Sequence, residues 1–411
     1  MIGGTKVINS YFAEAKQLLC LCFSIVILLL SSCEKDELSD NLPLRTVIVY
    51  MIADNNLDYF SVKDINEMEA GFDNDFNGNL IVYVDRAEGA TPSHPIVYKI
   101  SKDTTETITS EITFVYGEQN SANGTVMFGV LSDIINKYPA QSYGLILWSH
   151  GTAWYPEGTK ISEVKNTFLG NSLKQLPLTK SFGRDGKGEL NIKELKSSLP
   201  VHFDFIIFDA CYMGSIEVVY ELKDKASYII LSPTEVLSAG YPYKSIVGEL
   251  FEETINYQSI ANEFFISYDT LENAMQSVTI SVVKTASLNS LATRVAMIMN
   301  DSSNLVKVNC NEIQQYTVEQ QNLLFDFDDY LGKVTLNSVA YDNFKSTLDA
   351  TIVFKSSTPN ILDELSIDHF SGLSIFIPDS SNSEYYDFYK TLDWYKDCGY
   401  SNYFNKFYSG K

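Results

Sequence analysis

Two short apolar runs, each ending at a reactive side chain, constrain the fold of this chain more than any other feature of its sequence. Residues 143–151 (YGLILWSHG) are mostly apolar up to His150, and residues 203–215 (FDFIIFDACYMGS) are mostly apolar up to Cys211. Runs that are too apolar to alternate are typical of strands buried on both faces of a parallel sheet. Because ligands bind beyond the carboxyl ends of such strands, the two runs predict a Cys/His site at one edge of a sheet.

The rest of the chain alternates between strand-like and helix-like patterns. Buried-strand patterns begin at Thr46 (TVIVYMIA) and at Leu80 (LIVYVD), residues 96–116 predict a more exposed hairpin, and a helical period follows it. This alternation predicts an α/β fold with a mostly parallel central sheet and helices on both faces. We assign residues 45–250 to this core and residues 251–411 to a C-terminal α+β extension that either completes or flanks it.

The first 32 residues have the features of an export signal. Lys6 and Lys16 accompany an almost wholly apolar run at residues 18–30, which is short for a membrane span and suits the core of a signal peptide. The small residues before Cys33 resemble a lipobox. Residues 1–32 are therefore predicted to be a lipoprotein-type signal peptide, with Cys33 as the lipidated N-terminus. An ordinary anchor helix and cleavage at another position are the alternatives.

Residues 33–44 form a polar, acidic stretch that predicts a tether between a lipid anchor and the folded protein. Its Lys35-Asp36-Glu37 resembles a surface-export signal of lipoproteins. The predicted location is that of an exported lipoprotein of the outer membrane, with display on the cell surface as a further option. A formal net charge of −22 argues against nucleic acid as a partner. The membrane is a predicted partner through the lipid anchor at Cys33, and the Cys/His site predicts a peptide or protein substrate.

Cysteine usage leaves few thiols in the folded part of the chain. Of the six cysteines, Cys211, Cys310 and Cys398 follow the predicted lipidation site. An exported protein with these thiols can form at most one internal disulfide. A Cys310–Cys398 bridge is one option, and it would leave Cys211 as a thiol.

A cysteine hydrolase needs a thiolate and a nearby acid/base group. An imidazole and a helix N-terminus both favour loss of the thiol proton, and a helical pattern at residues 215–223 begins just after Cys211. His150 would protonate the leaving amine and then help water attack the thioester. The N–H of Gly151, which has no side chain, and the N–H of Cys211 would form an oxyanion hole. The alternative is a buried structural cysteine and an unrelated histidine.

Several segments resemble the clostripain family of cysteine peptidases, a group related to the caspases. They lie between residues 46 and 243, with a weaker match at SGLSIFIP, and they are VIVYMIADNNLD, ILWSHG, GELNIKELKSSL, FDACYMGSIEVVYEL and SPTEVLSAGYPY. The resemblance implies a caspase-like α/β/α sandwich. It also implies that Cys211 is the nucleophile, His150 its partner and Gly151 part of the oxyanion hole.

Members of this family typically cleave after arginine or lysine, for which a carboxylate must offset the charge of the bound side chain. Asp209 matches the acidic position of the family, two residues before the nucleophile. The family pattern has a second acid where this chain has Ala239, and Glu235 in the same loop is the candidate substitute. The resemblance therefore implies a basic preference, with Asp209 and Glu235 in the substrate pocket.

Relatives often activate themselves by cutting the chain between the histidine and the cysteine. Residues 152–188 are poorly patterned and predict an exposed loop, where cleavage is tolerated. We expect self-cleavage after one of the basic residues of this loop, which are Lys160, Lys165, Lys174, Lys180, Arg184 and Lys187. The alternative is a passive surface insertion.

Two segments have part of the ligand spacing of a calcium-binding loop. Asp73, Asp75 and Asn77 have EF-hand spacing, but Val84 stands where a bidentate glutamate belongs. Residues 183–195 (GRDGKGELNIKEL) lack ligands at required positions. Each segment is also typical of a turn before a strand or helix, so calcium stays an option. No zinc-type spacing and no glycine-rich phosphate loop occur, and no metal ligands are assigned.

The predicted function is that of an exported cysteine endopeptidase with Cys211 and His150 at its centre. Two alternatives remain: a non-catalytic surface binding protein that kept the caspase-like fold, and a cysteine amidase or transpeptidase. Replacement of Cys211 would distinguish a peptidase from the first alternative, because a binding protein does not need the thiol.

Overall fold

The computed structural model describes residues 42–92, 94–156, 184–185, 188–317, 323–378 and 380–408. Residues from Pro43 onward belong to one unit. The predicted signal peptide, Cys33 and nearly all of the predicted tether lie outside the described residues. Most of the expected cleavage loop, at positions 157–183 and 186–187, lies outside them as well.

A nine-stranded sheet forms the framework of this unit. Its strands are β1 (Arg45–Ala53), β2 (Gly78–Arg86), β3 (Ile96–Lys99), β4 (Glu111–Val115), β5 (Ser142–Trp148), β8 (Phe203–Asp209), β9 (Ala226–Leu231), β10 (Thr279–Lys284) and β12 (Ile352–Ser357). Short pairs lie outside it: β6 (Arg184–Asp185) with β7 (Gly188–Glu189), β11 (Phe325–Asp326) with β15 (Ser374–Ile375), and β13 (Asn360–Ile361) with β14 (Leu365–Ser366). The order across the large sheet is β12-β10-β9-β8-β5-β1-β2-β3-β4.

The middle of the sheet is parallel and its two edges are antiparallel. β2, β1, β5, β8 and β9 run in one direction, whereas β3 and β4 on one side and β10 and β12 on the other alternate. Every residue of β1 is buried, as are most residues of β5 and β8. Strands covered on both faces need such apolar runs. The predicted α/β fold with a largely parallel central sheet is confirmed.

Helices follow most of the strands. They are α1 (Asp58–Gly71), α2 (Gly124–Lys137), α3 (Ile192–Ser198), α4 (Ile216–Glu221), α5 (Tyr243–Ile246), α6 (Tyr257–Asp269), α7 (Leu288–Asn300), α8 (Phe327–Val334), α9 (Ser338–Thr351), α10 (Tyr386–Tyr389), α11 (Asp393–Asp397) and α12 (Tyr400–Phe407). Side-chain oxygens of Asn123, Asn191 and Ser215 cap α2, α3 and α4, which fixes where these helices begin. Within the described ranges, no helix combines the length and the apolar character that a bilayer span requires.

Residues beyond position 250 contribute to the same sheet. β10 pairs antiparallel with β9, and β12 pairs antiparallel with β10. The backbone N–H of Ser374, in β15, donates to the carbonyl of Gly214 over 2.8 Å. This part of the chain therefore extends the sheet and also contacts the turn that follows Cys211.

The optional disulfide between Cys310 and Cys398 is absent from the structure, since none of the described cysteines is in a disulfide. Cys398 is completely buried, and burial raises the pKa of its thiol well above the usual value. Cys310 is partly exposed. Both residues, like Cys211, are thiols in this structure.

Candidate active site

His150 and Cys211 follow neighbouring strands that end at the same edge of the sheet. β5 and β8 are adjacent and parallel, and the last residues that pair between them are Trp148 and Asp209. His150 and Cys211 each come two residues after this pair. Because neighbouring strands lie about 4.8 Å apart, the two residues leave the sheet side by side. This is the edge at which ligands of parallel sheets bind.

The turn after β8 is held by the residues that follow β9. Tyr212 has a left-handed φ of 61°. Its N–H donates to the carbonyl of Thr234 over 2.8 Å, and the N–H of Gly214 donates to the carbonyl of Ser232 over 2.8 Å. A Cβ on Gly214 would overlap the backbone of Ser232, so this close approach requires glycine. These contacts fix the backbone that carries Cys211.

The loop after β9 covers the thiol of Cys211. We call residues 234–238 the covering segment, and all of them are buried. The N–H of Val236 donates to Sγ of Cys211 over 3.1 Å, and the thiol lies 3.5 Å from the carbonyl oxygen of Val236, to which it donates. Only 1% of Cys211 is exposed. A peptide therefore cannot reach the sulfur in this conformation.

His150 is also largely covered, with 8% of its surface exposed. Its Nε2 lies 2.6 Å from Oδ1 of Asn56, which is in the turn between β1 and α1. Gly151 follows His150 at the same edge and is buried. Asn56 is not among the residues that the sequence assigns to the site. The sequence feature that could have indicated Asn56 is the polar DNNLD segment, because it directly follows β1, which pairs with β5.

Asp209 ends β8 in a fully buried position next to tyrosines. The hydroxyl of Tyr243 donates to its carboxylate over 2.9 Å. Burial raises the pKa of Tyr241, Tyr243 and Tyr268 well above the usual value, and the charge of Asp209 raises it further. These phenols therefore stay protonated at neutral pH. Glu235, the other acid expected in the pocket, is buried in the covering segment.

A second buried carboxylate, Asp64 of α1, lies in the same region. Nε1 of Trp148 donates to Oδ2 of Asp64 over 2.6 Å. Burial and the charge of Asp209 are the larger causes of the raised pKa of Tyr243 and Tyr268, and the charge of Asp64 raises it further. Two acids from different elements therefore act on the same phenols. The sequence pattern does not reveal Asp64, because an aspartate on a helix is usually exposed.

The first calcium-like segment contains a turn, and the described part of the second leads into a helix. The N–H of Asp75 donates to Oδ1 of Asp73 over 3.1 Å, and β2 begins shortly afterwards. In the second segment, Asn191 caps α3. Among the residues that the structure describes, no group of three or more histidine, cysteine, aspartate or glutamate side chains is arranged to hold a metal ion. A calcium requirement stays an untested expectation.

The first part of the predicted exposed loop, residues 152–188, is buried instead, so the prediction of exposure is wrong at Ala153, Trp154 and Tyr155. The aromatic rings of this stretch pack against the protein before the chain reaches Lys160, the first expected cleavage site. The rings of Trp154 and Tyr155 stack with their centroids 4.2 Å apart. Trp154 also contacts Phe376 at 5.1 Å and Tyr389 at 4.8 Å between centroids. Arg184 is in β6, and the lysines expected as cleavage sites lie outside the described residues.

The chain is similar to clostripain-type proteases in sequence and in structure. A clostripain family model, Peptidase C11, matches residues 49–406. Clostripain of Hathewaya histolytica is 26% identical over 230 residues, covering 50% of this chain and 42% of clostripain, so the match spans less than half of that relative. An inactive zymogen C11 protease from Parabacteroides distasonis has a TM-score of 0.72 and 32% identity, covering 87% of this chain and 98% of that one. A secreted C11 cysteine protease from Bacteroides thetaiotaomicron, solved with an irreversible peptide inhibitor, has a TM-score of 0.72 and 29% identity. That match covers 87% of this chain and 99% of the protease from Bacteroides thetaiotaomicron.

The family match begins within β1 and ends within α12. It therefore includes the strands that precede His150 and Cys211 as well as the residues beyond position 250. With most of its length matched, this chain belongs to the clostripain family of cysteine peptidases.

Proposed function

We propose that this protein is a cysteine endopeptidase that forms an acyl-enzyme through Cys211. The observation that carries the proposal is the parallel pairing of β5 with β8, which supports a shared site for His150 and Cys211. A thiol nucleophile beside an imidazole is the arrangement that a cysteine hydrolase needs. Membership of the clostripain family supports the same chemistry.

In the proposed reaction, His150 takes the proton of the Cys211 thiol, and the thiolate attacks the scissile carbonyl carbon. The N–H groups of Gly151 and Cys211 donate to the oxyanion of the tetrahedral intermediate. The C–N bond breaks as His150 gives the proton to the leaving amine, which leaves a thioester on Cys211. Water that His150 deprotonates then hydrolyses the thioester, and the thiol is restored.

The proposed substrates are peptides with arginine or lysine before the scissile bond. Asp209 precedes the nucleophile by two residues, and its buried carboxylate would pair with the cation of the substrate. Glu235, from the covering segment, would add a second negative charge. Neutral side chains cannot make these pairs, so we expect them to be poor substrates.

The covered thiol supports a latent precursor that becomes active after cleavage within residues 152–188. Val236 contacts the sulfur of Cys211 through both its N–H and its carbonyl, and the relative from Parabacteroides distasonis is described as an inactive zymogen. In the proposed activation, cleavage frees the loop, and the covering segment then moves away from Cys211.

Electrophoresis tests self-processing directly. Wild-type protein should convert from one band to two, mass spectrometry of the new termini should place the cut after a basic residue, and Cys211→Ala should stay intact. Full peptidase activity of an intact single chain would contradict the proposed activation and support a passive surface insertion.

Export as a lipoprotein is proposed from residues 1–33. A relative that is described as secreted supports the export step. Labelled palmitate should enter the protein in bacteria, and the label should be lost in Cys33→Ala and after globomycin treatment. Membrane fractionation and protease shaving of intact cells then test the outer membrane and the cell surface. Absence of label from wild-type protein would contradict the lipid anchor.

One labelling experiment tests the central chemistry. Processed protein is treated with a peptidyl acyloxymethyl ketone that ends in arginine, or with a matched probe that ends in norleucine, and the modified residue is mapped. Labelling of Cys211 by the arginine probe alone supports both nucleophile and specificity, whereas equal labelling removes the basic preference. No labelling would favour a non-catalytic binding protein. Labelling without peptide hydrolysis would favour an amidase or transpeptidase.

A further inference from the structure

The turn between β1 and α1 contacts the ring of His150. Oδ1 of Asn56 lies 2.6 Å from Nε2 of His150. An amide oxygen only accepts hydrogen bonds, so Nε2 is the donor and carries a proton. In the neutral ring this assignment leaves Nδ1 as the nitrogen with a lone pair. The contact therefore selects one tautomer of the predicted acid/base residue.

The turn that carries Asn56 is braced by its neighbours. Oδ1 of Asn55 accepts from the N–H of Leu57 over 2.9 Å, and Nδ2 of Asn55 donates to the carbonyl of Ile52 over 3.0 Å. The hydroxyl of Ser149 donates to the same carbonyl over 2.9 Å. One carbonyl at the end of β1 thus connects the Asn56 turn to the residue that precedes the histidine.

The exposure of the two side chains fits a supporting role for Asn56. Asn56 is exposed, whereas only 8% of His150 is exposed. Because Asn56 is exposed, water could satisfy its amide and folding does not require this contact. Its oxygen nevertheless contacts the ring at a short distance. A hydrogen bond from a charged ring is stronger than one from a neutral ring, so the contact favours the imidazolium.

We propose that Asn56 is a positioning residue for His150, an inference that rests on the proposed peptidase function. Asn56 holds the Nε2–H tautomer and fixes the plane of the ring, so Nδ1 exchanges the proton. When the Cys211 thiol gives its proton to Nδ1, the amide oxygen of Asn56 stabilises the resulting imidazolium. The same proton passes from Nδ1 to the leaving amine as the C–N bond breaks. Asn56 itself gains and loses no proton.

Two substitutions at this position test the proposal in opposite directions. Asn56→Ala should lower kcat about 10- to 100-fold with little change in KM, the range expected for loss of a hydrogen bond to a charged group. It should also lower the alkaline pKa of the kcat/KM profile, because the imidazolium loses a partner. Asn56→Asp keeps an accepting oxygen and adds a charge, so it should raise that pKa and recover part of kcat.

The control is Asn343→Ala on α9, since Asn343 is exposed and its amide donates to the carbonyl of Val339 in the same helix. Thermal unfolding of all variants is measured together with kinetics on self-processed protein and an arginyl fluorogenic peptide. If Asn56→Ala keeps the wild-type kcat and the wild-type alkaline pKa of the kcat/KM profile, the proposal is overturned. A change in KM alone would also overturn it. If Asn56→Ala does not fold, a lowered alkaline pKa in Asn56→Asp would overturn it. Absence of wild-type turnover and of Cys211 labelling would instead contradict the peptidase function.

Discussion

We expect one buried carboxyl group, Glu217, to make the stability of this protein depend on pH. Glu217 is in the first turn of α4 and is fully buried. Its Oε1 accepts from the N–H of Phe376 over 3.0 Å and from the hydroxyl of Tyr389 over 3.2 Å. Its Oε2 makes no hydrogen bond within the described part of the chain. Burial raises the pKa of Glu217 from 4.5 to about 7, although these hydrogen bonds lower it.

The size of the effect follows from the two pKa values. Between pH 4.5 and about 7, the folded protein keeps a proton on Glu217 that the unfolded chain has released. Raising the pH through this window therefore favours the unfolded chain. The stabilising contribution is complete below the lower value and is lost above the higher one. The difference between 4.5 and about 7 corresponds to about 3 kcal/mol, at about 1.4 kcal/mol for each pH unit.

Glu217→Gln removes the titration and keeps an oxygen that accepts both hydrogen bonds. Urea unfolding at pH 5 and pH 8, in a Cys211→Ala background that prevents self-cleavage, gives the free energy of unfolding of each protein. From pH 5 to pH 8, the free energy of unfolding of the parent should fall by about 2.5 kcal/mol more than that of the variant. Glu253→Gln, at an exposed position, is the control and should gain nothing. An unchanged difference for Glu217→Gln would show that Glu217 titrates alike in folded and unfolded chains, which refutes the reasoning.

Three further predictions concern the site. Gly214→Ala should lower the free energy of unfolding by about 1–3 kcal/mol and abolish turnover, because the added Cβ would overlap the backbone of the neighbouring loop. The control is Gly129→Ala in α2, where the added Cβ meets open space. This variant should raise the free energy of unfolding by up to about 1 kcal/mol. Asp209→Asn should lower kcat/KM for arginyl peptides about 100-fold relative to neutral ones, and an unchanged ratio would mean that another group binds the cation. Iodoacetamide should modify Cys211 more slowly than partly exposed Cys310 before processing and faster afterwards; equal rates throughout would contradict the covered thiol.

The fold and the order of the site residues could be predicted because they depend on local pattern. A continuous apolar run that stops at a polar residue allows few structures other than a buried strand, and β5 and β8 are such strands. Their ends determine where His150 and Cys211 stand. The hairpin of β3 and β4 and the helix α2 also follow from periodicity.

The contacts of the site could not be predicted because they join residues far apart in the chain. Asn56 precedes His150 by 94 positions, and Val236 follows Cys211 by 25. Each contact depends on how a turn or loop packs at the sheet edge, and periodicity carries no information about that packing. Asp64 differs in that its position on a helix suggests exposure, and only the contact with Trp148 reveals its burial.

Residues beyond position 250 contact the chain on both sides of the expected cleavage sites, which lie between Lys160 and Lys187. On the cysteine side, the N–H of Ser374 donates to the carbonyl of Gly214 over 2.8 Å, and on the histidine side, Phe376 and Tyr389 contact Trp154. A break between β5 and β8 removes one covalent link but leaves these contacts and the strand pairing in place. The two fragments should therefore co-elute in native size-exclusion chromatography and separate only in denaturant. Separation under native conditions would mean that these contacts cannot hold His150 and Cys211 at one edge after cleavage.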